Sequence, residues 1–399
     1  MKIGIIKPDY KITGGFEVVV NRLKLELEIC GHEVTIVYID ATDVSLKDIP
    51  YPITDDMYYK NPEFFKYINN FWKYKKMDVS RFDCVISTQP PSFAVEHPRH
   101  ISLFYHHMKM YYDMSDLIQE VGLQQPFHRK SVEVIREIDT SSLNKVTSIL
   151  AGSKTIKDRI ARFNGITDQV DVIYAGINPH LYNFNGTVSY EYPIVVGRHE
   201  FPKRPELFVA AMKKIPNQIG KIVGSGGRTE DLKKIDQILT YSTNEGITIS
   251  DNETWKQMSN GSFSENHENI FRMAKKKKYV SNVHFTGRVS DDELIEEYTR
   301  ASCVVCPAFQ EDYGLTAIEA MAFKKPIIAC IDGGGYAELI EDGVNGFLVE
   351  PTSSSIAEAI EKLTTDKALA TRMGNAAYET SRRYTWVNTI KKLNEHLIF

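Results

Sequence analysis

Between Ser302 and Cys330 the chain runs SCVVCPAFQEDYGLTAIEAMAFKKPIIAC, and this stretch restricts the fold more than any other. Cys303–Cys306 is a short apolar run with β-branched residues, as expected of a strand covered on both faces of a parallel sheet. Pro307–Tyr313 follows neither the strand nor the helix period and reads as a loop. From Gly314 the apolar residues Leu315, Ile318, Ala322 and Phe323 fall on one helical face. Lys325-Pro326 stops that helix, and Ile327–Cys330 is a second apolar strand. Two carboxylates stand out, Glu311 in the loop and Glu319 inside the helix. Between them the amides of Tyr313, Gly314, Leu315 and Thr316 form a first turn that lacks intrahelical acceptors and carries the positive end of the helix dipole. Amides suited to a phosphate and acids suited to hydroxyl groups, placed on one unit, point to a nucleotide-sugar site.

The string E-D-Y-G-L-T-A-I-E-A-M-A-x-K-x-P-I-I-A, with Glu311 and Glu319 as its two acids, resembles the Glu-x7-Glu signature of retaining glycosyltransferases of the GT-B fold, most closely glycosyltransferase family 4. The resemblance implies an α/β chain of two Rossmann-like, doubly wound parallel-sheet domains facing across a cleft, with a C-terminal helix crossing back to the first domain. The expected division is 1–176 on the acceptor side, 177–382 on the donor side and 383–399 as the returning helix.

At 399 residues, two domains of about 200 residues each are expected. A formal net charge of −4 argues against nucleic acid as the main partner. The start, MKIGIIKPDY, shows no signal-peptide core, and no apolar run approaches the ~18 residues of a membrane span. Five cysteines do not make a disulfide framework in a chain of this size, so a cytoplasmic protein is expected, with the inner face of a membrane as a peripheral location. Cys303 and Cys306 have zinc-like spacing, but no second pair accompanies them, and they read as buried core thiols.

In the first half, a strand at Lys2–Ile6 leads through Thr13-Gly14-Gly15 into a helix over Phe16–Cys30. The resemblance places Gly14 and Gly15 at a turn that faces the donor phosphates. Further strands are expected at Glu33–Ile39, Phe82–Thr88, Ile101–Tyr105, Ser148–Gly152 and Val170–Tyr174, with helices over Leu123–Lys145 and from Ser153 to Phe163. Thr42–Val79 reads as irregular and Tyr-rich. Its aromatic residues from Phe64 to Tyr74 interleave with lysines up to Lys76. That pattern fits either an anionic membrane surface or a helix packed on its own domain. His106-His107 follows a strand at its carboxyl end, where open α/β sheets bind ligands. By resemblance His106 lies near the donor sugar, with the choice between it and His107 open.

The segment Ala175–Pro179 reads as an interdomain hinge. After a strand at Tyr192–Val196 comes Gly197-Arg198-His199-Glu200-Phe201-Pro202-Lys203 and a helix from Pro205. Arg198 and Lys203 match the family's basic residues for the donor diphosphate. A charge pair at about 4 Å is worth about 4 kcal/mol at an effective dielectric of 20, before desolvation. No Asp-x-Asp occurs in the chain, so no metal is expected and two cations would stabilise the leaving nucleotide. Ser225-Gly226-Gly227 is a turn without the P-loop Lys-Ser/Thr. Ser242–Lys278 reads as a polar surface insertion with one helix, and Ser290–Glu293 as a capping box. Arg288 resembles a position near the nucleobase, and Trp386–Leu397 reads as the returning helix.

The resemblance therefore implies transfer of a sugar from a nucleoside-diphosphate sugar to a hydroxyl acceptor in glycan or glycolipid synthesis. Glu319 would accept ribose hydroxyls. Arg198, Lys203 and the amides of Tyr313, Gly314, Leu315 and Thr316 would hold the diphosphate. Glu311 would orient the sugar or act as a nucleophile, with His106 over the sugar. No cofactor is expected. The alternatives are a sugar-nucleotide 2-epimerase of the same fold and a non-catalytic sugar-nucleotide binder.

Overall fold

The structure is a computed structural model that describes residues 1–11, 15–177, 189–258 and 261–397. The chain divides into two compact units, Met1–Gly176 with Trp386–Phe399, and Ile177–Thr385. Each is built on a six-stranded parallel sheet.

Unit 1 runs β1 (Lys2–Asp9), α1 (Gly15–Ile29), β2 (Glu33–Asp40), α2 (Asp55–Lys60), α3 (Pro62–Lys75), β3 (Cys84–Ser87), β4 (His100–Phe104), α4 (Ser115–Glu120), α5 (His128–Leu143), β5 (Ser148–Ala151), α6 (Lys154–Asn164) and β6 (Val170–Val172). Its sheet has the order β2-β1-β3-β4-β5-β6. Ile3, Ile5, Val85, Ile86, Ile101 and Ile149 are all shut off from solvent, as strands covered on both faces require. Ser153 caps α6 by accepting from the Ile156 amide at 3.1 Å.

Two expectations for this unit are corrected. The region 42–79 is not irregular, because α2 and α3 lie within it. Pro62 starts α3 at a position where a missing N–H costs nothing. Phe65, Ile68, Phe71 and Tyr74 are buried at helical spacing. The intervening lysines hid that period in the sequence. The aromatic face thus has a partner within its own unit: Tyr67 joins the Tyr111–Tyr112 cluster and Phe71 packs against Ile6 and Val85. The long helix expected from Leu123 starts only at His128, because Phe127 before it is left-handed (φ 60°).

Unit 2 runs β7 (Tyr192–Val196), α7 (Pro205–Lys214), β8 (Gly220–Val223), α8 (Thr229–Asn244), α9 (Glu265–Lys277), β9 (Val283–Gly287), α10 (Asp291–Arg300), β10 (Ala301–Cys306), α11 (Leu315–Ala322), β11 (Ile327–Cys330), β12 (Gly346–Val349), α12 (Ser353–Thr365) and α13 (Lys367–Ser381). Its sheet order is β12-β11-β10-β7-β8-β9. From a central β7 the order runs through β8 and β9 to one edge, and β10–β12 extend to the other. The side on which strands are added reverses between the parallel neighbours β7 and β10, which makes their carboxyl ends the switch point of a doubly wound sheet. Cys303, Cys306 and Cys330 are free and buried, and burial pushes the Cys303 thiol up to about 12. The Ser242–Lys278 insertion is more regular than expected. It holds the end of α8, a π-helical turn at Glu253–Gln257 and α9.

The last helix, α14 (Trp386–Leu397), belongs to unit 1. Thr389 Oγ1 donates to the Tyr174 carbonyl at 2.7 Å, and His396 Nδ1 lies 3.0 Å from Ser148 Oγ. Among the described residues no helix is long and apolar enough to cross a membrane.

A buried acid lies in the core of unit 1. Asp139 accepts from Tyr67 Oη at 2.8 Å and from Tyr112 Oη at 2.7 Å. Burial pushes its carboxyl up to about 7, against the opposing pull of the two tyrosines. The folded chain therefore holds a proton that the unfolded chain releases near pH 4. That stabilisation is complete below about pH 4 and is lost as the pH rises through 7. Chemical denaturation of the wild type and Asp139→Asn between pH 4 and 8 is expected to show wild-type stability falling relative to the variant over that range. Parallel pH profiles would contradict this assignment.

Candidate active site

At the unit-2 switch point Lys203, Glu311 and the start of α11 come together. The loop after β7 passes through Gly197, Arg198 and a short 3-10 turn at Phe201–Lys203 before α7. The loop after β10 passes through Pro307–Tyr313 to Gly314, which stands before α11 with φ 96°. Lys203 Nζ donates to Glu311 Oε2 at 2.5 Å, with Lys203 28% and Glu311 15% exposed. A cation from one side of the switch point thus meets an anion from the other.

The Glu311 loop is laced to its neighbours through the main chain. The Phe309 amide donates to Pro202 O at 2.7 Å, Gln310 to Asp332 O at 2.9 Å, and Glu311 to Gly333 O at 3.1 Å, while Gly335 donates back to Glu311 O at 2.8 Å. This explains Gly334 and Gly335. A Cβ on Gly334, which has φ 59°, would stand 2.4 Å from Glu311 O. One on Gly335 would stand 2.8 Å from Tyr313 O. Only glycine lets the two loops approach so closely.

Glu319 lies in the second turn of α11, half-buried, and accepts from Tyr298 Oη at 3.1 Å. The α11 N-terminus, with Gly314 before it and Leu315 and Thr316 in its first turn, has no side-chain cap. Tyr313, just before Gly314, is buried. Arg198 is 62% exposed and pairs with Glu200 at 3.0 Å. The structure thus brings Lys203 and Glu311 into contact and leaves Arg198 on the surface of the same loop. His199, between Arg198 and Glu200, is buried, with Nδ1 2.9 Å from Thr229 Oγ1. Burial lowers its imidazole pKa.

In unit 1 the two histidines after β4 separate cleanly. His107 is 2% exposed, lies 2.9 Å through Nε2 from Asn164 Oδ1, and packs against Tyr112 with ring centroids 4.2 Å apart. His106 is partly exposed at the carboxyl end of the sheet, its Nδ1 3.1 Å from the His107 carbonyl. Gly14 lies outside the described residues, and Gly15 is the first residue of α1. Arg288 follows β9 at the same end of the unit-2 sheet.

Two models of known families match the chain. The one described as Glycosyltransferase Family 4 spans residues 13–181, and the one described as Glycosyl transferases group 1 spans residues 263–380. The chain belongs to glycosyltransferase family 4. A glycosyltransferase of Methanocaldococcus jannaschii is 26% identical over 309 residues, which is 72% of this chain and 69% of that protein. A second from the same organism is 26% identical over 253 residues, 62% of this chain and 59% of its own length. A D-inositol 3-phosphate glycosyltransferase of Streptomyces bingchenggensis is 32% identical over 120 residues, 30% of this chain and 26% of that enzyme. The latter two matches span less than two thirds of the relatives they align with. Among solved structures, the sucrose-phosphate synthase of Thermosynechococcus elongatus aligns with a TM-score of 0.68 at 19% identity, over 99% of this chain and 97% of that one. HepE of Anabaena, in complex with UDP and glucose, aligns with a TM-score of 0.63 at 16% identity, over 100% and 99%. The fold is GT-B, and the chain is a glycosyltransferase by family.

Sequence reasoning on this family-4 chain missed three groups. Arg204 is 1% exposed and forms a paired contact with Asp332. It stands next to Lys203 and before a proline, and nothing local marks it as buried. Lys7 is 4% exposed and donates to Glu17 Oε1 at 2.9 Å, tying the end of β1 to α1. Asp139 stands in α5 and is buried. Each is a charge whose partner lies 10 or more residues away along the chain, so no local pattern marks it.

Because Gly334 needs both its left-handed φ and its missing Cβ, Gly334→Ala is expected to destabilise unit 2 by about 2–4 kcal/mol. Gly343, also left-handed at φ 75° but with nothing within 4 Å of a Cβ, is the control, and Gly343→Ala is expected to cost about 1 kcal/mol. Equal losses on denaturant titration would contradict the close approach at Glu311.

Proposed function

We propose that the protein is a retaining glycosyltransferase that moves a hexose from a nucleoside-diphosphate sugar to a hydroxyl acceptor in surface-polysaccharide, glycolipid or glycoprotein glycan synthesis. The observation that carries this reading is the Lys203–Glu311 pair at the unit-2 switch point, beside the uncapped N-terminus of α11 and Glu319. That set supplies a cation and amides for a diphosphate and carboxylates for hydroxyl groups. The neighbours in the structural comparison include HepE in complex with UDP-glucose, so a uridine diphosphate sugar is the first donor to test.

In this reading Glu319 accepts the ribose hydroxyls, with Tyr298 fixing its carboxylate. Lys203, Arg198 and the amides of Gly314, Leu315 and Thr316 hold the diphosphate. Glu311 accepts from hydroxyls of the sugar. As the acceptor oxygen bonds to the anomeric carbon, the bond from that carbon to the diphosphate breaks and its electron pair leaves with the phosphate. The acceptor proton passes to a phosphate oxygen on the same face, which accounts for retention. Glu311 arrives already paired with an ammonium and held by main-chain bonds, which suits a hydroxyl acceptor better than a migrating nucleophile. Negative charge on the leaving group is met by fixed cations and dipoles, so no metal is required. His106, the partly exposed histidine of unit 1, is assigned to the transfer step. A cytoplasmic location accompanies a nucleotide-sugar donor.

Thermal unfolding against a panel of nucleoside diphosphates and their sugars, with and without EDTA, tests this reading. A ligand at 100 times its dissociation constant adds ~2.7 kcal/mol, which raises the midpoint of a unit this size by about 5 °C or more. The expected result is a shift with one base, unchanged by EDTA and lost in Glu319→Ala. His106→Ala is expected to keep the shift and lose about 100-fold in transfer rate. No shift with any nucleotide would overturn the proposal.

A further inference from the structure

Arg204 occupies a position that no arginine adopts without compensation. Its φ is 48°, in the left-handed region, which costs a non-glycine residue about 1 kcal/mol. Its guanidinium is 1% exposed. The fork donates through Nε to Pro307 O at 2.6 Å, through Nη2 to Ala308 O at 3.2 Å, and through both Nη atoms to the Asp332 carboxylate at 2.8 and 2.5 Å. One side chain thus joins the loop after β7, on which it sits, to the loop after β10 and the loop after β11.

The guanidinium plane is also covered by aromatic rings. It lies 4.8 Å from the centroid of Trp255 and 5.6 Å from that of Phe309. Trp255 comes from the π-helical turn of the inserted segment. It stacks on Phe201 with centroids 5.4 Å apart and an interplanar angle of 19°, and its Nε1 donates to Phe201 O at 3.1 Å. The insertion is itself anchored, because Asp251 Oδ2 accepts from the Ser353 amide at 2.8 Å at the start of α12. A buried cation held by a carboxylate, two carbonyls and two ring faces is satisfied on nearly every edge. Removing any partner leaves a buried charge uncompensated.

We propose that Arg204 and Trp255 form a positioning pin that sets where Glu311 and Lys203 stand, so that the inserted segment takes part in presenting the donor site. The inference rests on the donor-site reading above. Neither residue is assigned a contact with the donor. Lys203 immediately precedes Arg204, and Glu311 is three residues beyond Ala308, so a slackened pin shifts both ends of the Lys203–Glu311 pair. A displacement of about 1 Å at such a site can cost 100-fold. Phe309, whose ring lies on the guanidinium, is two residues before Glu311, whereas the diphosphate is also held by Arg198 and the α11 amides, so the loss falls on recognition of the sugar more than on the nucleotide.

The test compares binding of UDP and UDP-glucose, or of the equivalent pair selected by the wild type from the nucleotide panel, by calorimetry on wild type, Arg204→Lys and Trp255→Leu. Arg204→Lys keeps the charge and loses the fork, and Trp255→Leu keeps an apolar filler and loses the ring face and the N–H. The expected result is a fall of at least tenfold in affinity for the nucleotide sugar with less than a threefold fall for the nucleoside diphosphate, measured on folded protein. If Arg204→Lys fails to fold, Trp255→Leu decides alone, with Trp255→Phe as the conservative variant expected to recover most of the sugar affinity. Unchanged affinity for both ligands, or an equal loss for both, would overturn the proposal while leaving the donor-site reading intact. Failure of the wild type to bind any member of the panel would overturn the donor-site reading itself and this inference with it.

Discussion

The ion pair between Lys203 and Glu311 spans the one place in unit 2 where the sheet cannot close over itself. β7 and β10 are neighbours, yet the chain leaves them toward opposite edges of the sheet, so the loops after them must part and a crevice opens at their carboxyl ends. A charge from each loop meets its opposite there at 2.5 Å. Backbone bonds to Pro202, Asp332 and Gly333 hold the Glu311 loop in reach, and Gly334 and Gly335 are glycines because the two loops run too close there for any Cβ. The site is therefore built mostly of main chain, with a few charges placed on it.

That construction explains which parts were legible in the sequence. Cys303–Cys306 and Ile327–Cys330 announce themselves because a doubly covered strand must be apolar throughout. The order of strand, loop and helix then places Glu311 before α11 and Glu319 within it, and Trp386–Leu397 emerges as a helix with the same bounds in the structure. Ser153 and Ser290 cap their helices as their side chains suggest. Local chemistry decides these elements, so a local reading finds them.

Other features depend on partners distant in the chain. The α3 stripe was obscured because its lysines alternate with the aromatic residues that go inside. Arg204 and Asp332 are 128 residues apart, and nothing near either one marks a buried pair. His106 and His107 are adjacent and chemically identical, and only the packing of Tyr112 and Asn164 around the second tells them apart. The insertion looked like polar surface because the residues it turns inward, Trp255, Met258 and Ile270 among them, are scattered among polar ones.

The most direct test of the central claim is a crystal structure of the protein with a nucleoside diphosphate, UDP first, at saturating concentration. The expected result places the β-phosphate within hydrogen-bond distance of Lys203 Nζ and the first amides of α11, with the ribose hydroxyls on Glu319 and the Glu311 carboxylate left facing the position of the sugar. A nucleotide bound away from the carboxyl ends of β7 and β10, or bound there without touching Lys203 and α11, would contradict it.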